Sequence, residues 1–369
     1  MLRPQALSGG WGILSQDPFK GLKLAGAILR KSVPLDRLIF PSGYSFPPVA
    51  VIVELSRRCN LRCACGAAFG NVPGEGLGLR RWGELLRELR RYRPTITITG
   101  GEPLLDSRTC LFLKTASDLG FRTFLTTNGT LLDRFAANLI LSGLETLRVS
   151  IDGSEELHDR LRGVPGTFRR ATSGIERLQK EKRKLGKATP RVNIEVTLSG
   201  HIQGHLEEMV DLARRLQADR LVFHHQPRGP SAPETRARLD RPCAGSVLPL
   251  GDSPWIDVKT LQAELLLARR LSREIPFAVV PNLTGEEMTT YYNSPGRTVR
   301  KKSCMGAWMA ARILPDGVVA TCTGEVMGSV IKTNFFSVWN GAPFCKFRSH
   351  LREKKVLPEC LECLGILQY

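Results

Sequence analysis

The sequence predicts an α/β fold built on a parallel sheet, followed by a small cysteine-rich C-terminal unit. Three observations predict it: β-branched apolar runs recur along residues 49–226, helix-like segments separate them, and cysteines gather at a few places. The runs are VAVIVEL (49–55), TITIT (95–99), RTFLTT (122–127), TLRVSI (146–151), VNIEVTL (192–198) and RLVFHH (220–225). Between them, Trp82, Leu85, Leu86 and Leu89 fall at helical spacing, as do Leu206, Met209, Val210 and Ala213. Strands alternating with helices argue for βα units. Six such units with right-handed crossovers form either an open, partial barrel or a doubly wound sheet.

Around this core the chain divides by composition. Residues 1–48 read as a basic extension, in which Phe19, Leu22, Ala25, Ile28 and Leu29 line one face of an amphipathic stretch. Its shortness favours packing on the main domain over attachment to a membrane surface. Residues 227–295 read as a linker and helical connection. Their first part, PRGPSAPETRARLDRP, is rich in Pro, Gly and Arg. A helical segment is expected near 259–273. Residues 296–369 read as the small terminal domain.

Composition removes several classes of function. No run of eighteen apolar residues occurs, so no transmembrane helix is expected. The N-terminus has no long apolar run with a small-residue cleavage site, and a cytoplasmic location is expected. A chain of 369 residues has no need of disulfide staples, so ten cysteines point to metal ligation in a reducing compartment. The net charge of +18 suits an anionic partner. Yet the arginines are scattered, and no basic block is interleaved with aromatics, so nucleic-acid binding is not expected.

The first cysteine group is Cys59-Asn60-Leu61-Arg62-Cys63-Ala64-Cys65, directly after the first strand. In parallel barrels the C-terminal strand ends carry the chemistry. Three thiolates leave one iron of a four-iron cluster open, whereas electron-transfer clusters use four. Further motifs close later strands: Gly100-Gly101-Glu102-Pro103 after the second, Thr127-Asn128-Gly129 after the third, and Ser150-Ile151-Asp152-Gly153 after the fourth. Glycines permit close approach of a ligand, and Glu102 offers a carboxylate to an ammonium group. At the C-terminus, Cys304 and Cys322 flank a hairpin turning at Pro315-Asp316-Gly317, and Cys360 and Cys363 form a CxxC. Four such ligands suit zinc or a four-iron cluster.

These motifs resemble the radical S-adenosylmethionine (radical SAM) family, whose signature is a CNLRC-type loop. Glu54 and Ser56 also stand in the familiar run-up, although one residue, Ala64, separates the last two cysteines where the family has two. The resemblance implies a partial (β/α)6 TIM-like barrel. It implies a catalytic 4Fe–4S cluster on Cys59, Cys63 and Cys65 that reductively cleaves S-adenosylmethionine to a 5′-deoxyadenosyl radical. Gly100, Gly101 and Glu102 would meet the cofactor's amino group, and Ser150 its carboxylate or ribose. Arg162 would meet the carboxylate. Asn128 and Thr197 would add polar contacts, and Asp152 would face substrate. The C-terminal segment, with Trp339-Asn340-Gly341, is similar to the SPASM domain or its shortened "twitch" form. It implies one auxiliary 4Fe–4S cluster on Cys304, Cys322, Cys360 and Cys363. Cys110, Cys243 and Cys345 are expected to be packing or loop residues. The implied reaction is hydrogen abstraction from a peptide or a small anionic metabolite, leading to oxidation, cross-linking or rearrangement, with a reductant such as flavodoxin or ferredoxin. The alternative is a metal-bound scaffold whose first cluster site is degenerate.

Overall fold

The computed structural model describes residues 42–63, 76–226, 255–294, 304–322, 324–354 and 357. The expected amphipathic stretch in 1–41, and Cys65, Cys243, Cys360 and Cys363, lie outside the described residues.

The expected strands form as β1 (Ala50–Glu54), β2 (Thr95–Thr99), β3 (Thr123–Thr127), β4 (Thr146–Ser150), β5 (Arg191–Leu198) and β6 (Arg220–His225). They pair in parallel and in sequence order. Parallel neighbours need long crossovers, and helices supply them. These are α1 (Leu79–Leu89), α2 (Thr109–Asp118), α3 (Leu132–Leu141), α4 (Glu155–Arg162) with α5 (Thr167–Lys184), and α6 (Leu206–Arg215). Each helix buries the stripe its spacing predicts; on α1 this is Trp82, Leu85, Leu86 and Leu89. Burying each such side chain stabilises by roughly 1.5–3 kcal/mol.

The strands alternate in two senses. In β5 the apolar Val192, Ile194, Val196 and Leu198 are buried, while Asn193, Glu195 and Thr197 are only half-buried. The apolar set packs under the helices and the polar set lines the concave side of the sheet, which is the barrel lumen.

The sheet is larger than six strands. The segment expected to be mostly linker holds α7 (Val258–Leu271), β7 (Phe277–Val280) and α8 (Gly285–Asn293), and β7 adds in parallel to β6. Its apolar run, FAVV, is too short to stand out by periodicity. On the other edge, α9 (Gly306–Met309) leads into β8 (Ala310–Ile313), which pairs in parallel with β1. β8 continues through the expected hairpin into β9 (Val318–Ala320), and then β10 (Val326–Ser329). The order is β10-β9-β8-β1-β2-β3-β4-β5-β6-β7. Helices α10 (Phe335–Trp339) and α11 (Ala342–Lys354) close the C-terminal part.

Two polar links fasten that part to the barrel. Glu54 at the end of β1 is fully buried and paired with Arg312 of β8, with Arg57 3.5 Å away on its other side. Residues 43–46 lie against the C-terminal helices. Trp339 Nε1 donates to the Phe46 carbonyl at 2.8 Å, and the buried Arg348 donates to the Gly43 carbonyl at 3.1 Å. Cys345 is a packing residue here, its thiol 3.4 Å from the Asn340 carbonyl.

Candidate active site

The loop after β1 carries Cys59 and Cys63, both half-buried, at the C-terminal mouth of the barrel. Three elements clamp this loop. From β2, the Glu102 N–H donates to the Arg58 carbonyl at 2.7 Å. A Cβ on Gly101 would stand 2.1 Å from that same carbonyl oxygen, and one on Gly100 2.4 Å from the Ser56 carbonyl oxygen. The cysteine loop therefore passes so close to the two glycines that a side chain at either would collide with its backbone. From α4, the Arg162 carbonyl accepts the Arg62 N–H at 3.1 Å. Gly163, at φ +66, lets α4 end against this loop, for a Cβ there would lie 2.2 Å from the Arg62 carbonyl oxygen.

The third clamp comes from β3. Asn60 donates to Thr130 Oγ1 at 2.9 Å, Thr130 donates to Asn128 Oδ1 at 2.6 Å, and Asn128 donates back to Asn60 Oδ1 at 2.9 Å. This closed ring of side chains ties the CNLRC segment to the TNG turn. Sequence alone marks Asn60 and Asn128 but not Thr130, which completes the ring.

Glu102 is fully buried, and its carboxylate turns toward β3. It accepts the Leu104 N–H at 3.0 Å, the Thr127 hydroxyl at 2.8 Å and the Asn128 N–H at 2.7 Å. Burial raises its pKa, and these three donors pull it back only in part. Glu102 thus joins the ends of β2 and β3.

Asp152, expected to face substrate, is buried with both carboxylate oxygens engaged. Oδ1 accepts the Thr197 N–H at 2.7 Å and Oδ2 accepts Arg162 Nη2 at 2.5 Å. It ties β4, α4 and β5 together. Its charge is shared between the Arg162 guanidinium and the Thr197 strand-end N–H. His158, also buried, accepts the Asp152 N–H at Nδ1, and burial pushes its pKa down to about 4. Thr197 meets Asp152 through its backbone, and Ser150 sits half-buried on the lumen face.

Arg162 Nη1 lies 4.0 Å from Cys63 Sγ. Burial raises the Cys59 pKa; the Leu61 backbone and Arg162 oppose this, whereas Cys63 and Glu102 add to it. Thiolates there gain from a bound cation or metal. Two half-buried thiols on one strand-end loop, beside a guanidinium, fit thiolate ligation of a cluster. Among the described residues no three ligating side chains cluster, and the third cysteine of the loop lies outside them.

On the C-terminal side, Cys304 precedes α9 and Cys322 follows β9, so they flank the β8–β9 hairpin. Cys110 is half-buried within α2, and burial pushes its thiol up to about 11.

Residues 53–216 match the radical SAM superfamily, and residues 304–364 match the iron–sulfur cluster-binding SPASM domain. The chain carries a radical SAM domain followed by a SPASM domain. Iron–sulfur clusters and S-adenosylmethionine are the cofactors of these two domains. This radical SAM chain is 34% identical over 182 residues to an AdoMet-dependent heme synthase of Methanosarcina barkeri, covering 48% of the chain and 50% of that protein. It is 28% identical over 321 residues to a PqqA peptide cyclase of Bradyrhizobium diazoefficiens, covering 82% and 75%. Its fold resembles Streptococcus suis SuiB bound to the precursor peptide SuiA, with a TM-score of 0.61, 17% identity, and coverage of 94% and 74%. The chain spans about half the length of the curated relatives it matches first. Among the described residues no helix is long and apolar enough to cross a membrane.

One further group lines the lumen of this radical SAM barrel and was not singled out by its motifs. Glu195 of β5 pairs with His224 of β6. Arg148 of β4 has its Nε 3.9 Å from Glu195 Oε1, and its guanidinium lies over the Phe124 ring at 4.6 Å. Burial would raise Glu195, but the hydrogen bond and charge of His224, with Arg148, hold it below the usual carboxylate range. The signal was present in sequence: charged residues at period two inside apolar strands.

Proposed function

We propose that the chain is a radical SAM enzyme that reductively cleaves S-adenosylmethionine and abstracts a hydrogen atom from a substrate held in the barrel lumen. The observation that carries this reading is the convergence on the Cys59–Cys63 loop of Gly100–Glu102, Asn128–Thr130 and Arg162–Gly163, from three different strand and helix ends. A loop clamped from three sides is pre-organised for ligation.

Cys59, Cys63 and Cys65 would hold the catalytic cluster. When bound, that cluster supplies the electron that cleaves the sulfonium of S-adenosylmethionine. The chain's own residues position and shield. Arg162, fixed by Asp152, holds a positive charge at the cluster mouth. The buried Glu102 keeps the β2 and β3 ends together, with Gly100, Asn128, Ser150 and Thr197 around the cofactor. Cys304, Cys322, Cys360 and Cys363 would hold one auxiliary cluster. A flavodoxin or ferredoxin is the proposed electron donor.

The PqqA peptide cyclase match covers 82% of the chain, which supports a peptide as substrate, whereas the net charge of +18 supports a small anionic metabolite. Replacing Cys59, Cys63 and Cys65 together by Ala tests the ligand assignment. Roughly four irons per chain should remain after anaerobic reconstitution; an unchanged iron content overturns it. A second reading, a scaffold with a degenerate first site, rests on the single residue Ala64 between Cys63 and Cys65.

A further inference from the structure

We propose that Arg148, backed by the Glu195–His224 pair, is a carboxylate-binding site in the barrel lumen that anchors the substrate beneath the cysteine loop. The inference rests on the radical SAM reading and deepens it by naming the substrate's recognised group.

The three residues come from adjacent strands β4, β5 and β6, on the lumen face rather than the helix-packed face. A charge placed there costs desolvation, and a purely structural ion pair would close on itself. This one does not close. Arg148 Nε stays 3.9 Å from Glu195, beyond hydrogen-bond reach, while the carboxylate is taken up by His224. Among the described residues no acceptor stands within hydrogen-bond distance of the Arg148 guanidinium. Its side chain is 35% exposed and that of His224 39%, so both open into the lumen. Phe124 supports the guanidinium at 4.6 Å and fixes its position.

A planar guanidinium with free N–H donors is matched by a carboxylate, which takes two parallel hydrogen bonds. The depth is also suitable. Thr197, whose N–H holds Asp152 at the barrel mouth, is two residues beyond Glu195 on the same strand face. Arg148 is level with Asn193, four residues below Thr197, so at ~3.3 Å per residue its Cα lies roughly 13 Å below the mouth, and its side chain rises toward Glu195. A carboxylate held there leaves the rest of the substrate to extend toward the mouth that carries the cysteine loop. Glu195 is taken up by His224 and keeps that ring oriented.

The test uses the anaerobically reconstituted full chain and two fluorescent carboxylate probes. One is a fluorescein-labelled glutamate-containing peptide, compared with its glutamine counterpart; the other is coproporphyrin III. At least one carboxylate probe should bind wild type, and R148Q should weaken it roughly tenfold or more, with R148K intermediate. The probe that binds identifies the source of the carboxylate as peptide or small molecule. Circular dichroism reports whether R148Q folds, and His224→Asn, expected to weaken binding in the same direction, carries the test if it does not. Equal affinity for wild type and the folded variants overturns the site. So does equal binding of the glutamate and glutamine peptides when the peptide is the probe that binds, or no binding of either carboxylate probe. Binding is read without turnover. A failure of S-adenosylmethionine cleavage in wild type would therefore strike the radical reading and be seen separately.

Discussion

Arg162 and Asp152 grip each other at the barrel mouth, with Nη2 of the guanidinium donating to Oδ2 at 2.5 Å. Both side chains are nearly buried, so removing one partner strands the other's charge. Asp152→Ala should therefore destabilise the fold by about 3 kcal/mol. Urea unfolding with an unchanged slope checks this; a loss well under 1 kcal/mol would mean that the pair is not a structural tie.

The Glu54–Arg312 pair should behave similarly, but at the seam between β1 and β8. Arg312→Met leaves the fully buried Glu54 with Arg57, 3.5 Å away, as its one ion-pair partner among the described residues. A loss of roughly 2–4 kcal/mol is expected. Limited proteolysis should also cut the C-terminal part first. Cleavage that starts instead within β2–β5 would contradict the role of this pair as a fastener.

Gly163 and Gly186 make a matched pair. Both have positive φ, +66 and +61, but a Cβ on Gly186 meets nothing within 4 Å, whereas one on Gly163 strikes the Arg62 carbonyl. Gly186→Ala should cost about 1 kcal/mol from backbone strain alone. Gly163→Ala should cost more and also lower cluster occupancy, because it pushes the cysteine loop. Thermal unfolding and iron content measured on both variants separate strain from displacement.

His225 supplies a pH dependence. It is buried, hydrogen-bonded at Nδ1 to Tyr292 at 2.7 Å, and burial together with the charge of His224 pushes its pKa from 6.5 down to about 4. Between those values the unfolded chain binds the proton and the folded chain does not. Its contribution is thus fully present above pH 6.5 and lost as pH falls toward 4. The stability difference between wild type and His225→Gln should change by about 1.4 kcal/mol per pH unit in that window. A difference independent of pH would show that the ring protonates freely in the native state.

Much of the fold was legible because it is local and periodic. The runs at 95–99 and 220–225 are β2 and β6 to the residue, and the Pro315-Asp316-Gly317 turn does join β8 to β9. β7 was not legible, since four residues carry little periodicity. Nor was the pairing of β8 with β1, which joins residues about 260 apart in the chain. At the site, the structure brings the motif segments together at neighbouring strand ends. The motifs did not tell that Gly100 and Gly101 make room for the cysteine loop, or that Asp152 is spent on Arg162 and Thr197. Those are facts of packing between strand ends, which spacing along the chain does not encode.

The most direct measurement is the formation of 5′-deoxyadenosine. The chain is purified and reconstituted anaerobically, iron and sulfide are quantified, and dithionite and S-adenosylmethionine are added. About eight irons per chain, for two four-iron clusters, with 5′-deoxyadenosine produced, is the predicted result. About four irons with no 5′-deoxyadenosine would contradict it and mean that the shortened Cys63-Ala64-Cys65 spacing does not support a catalytic cluster.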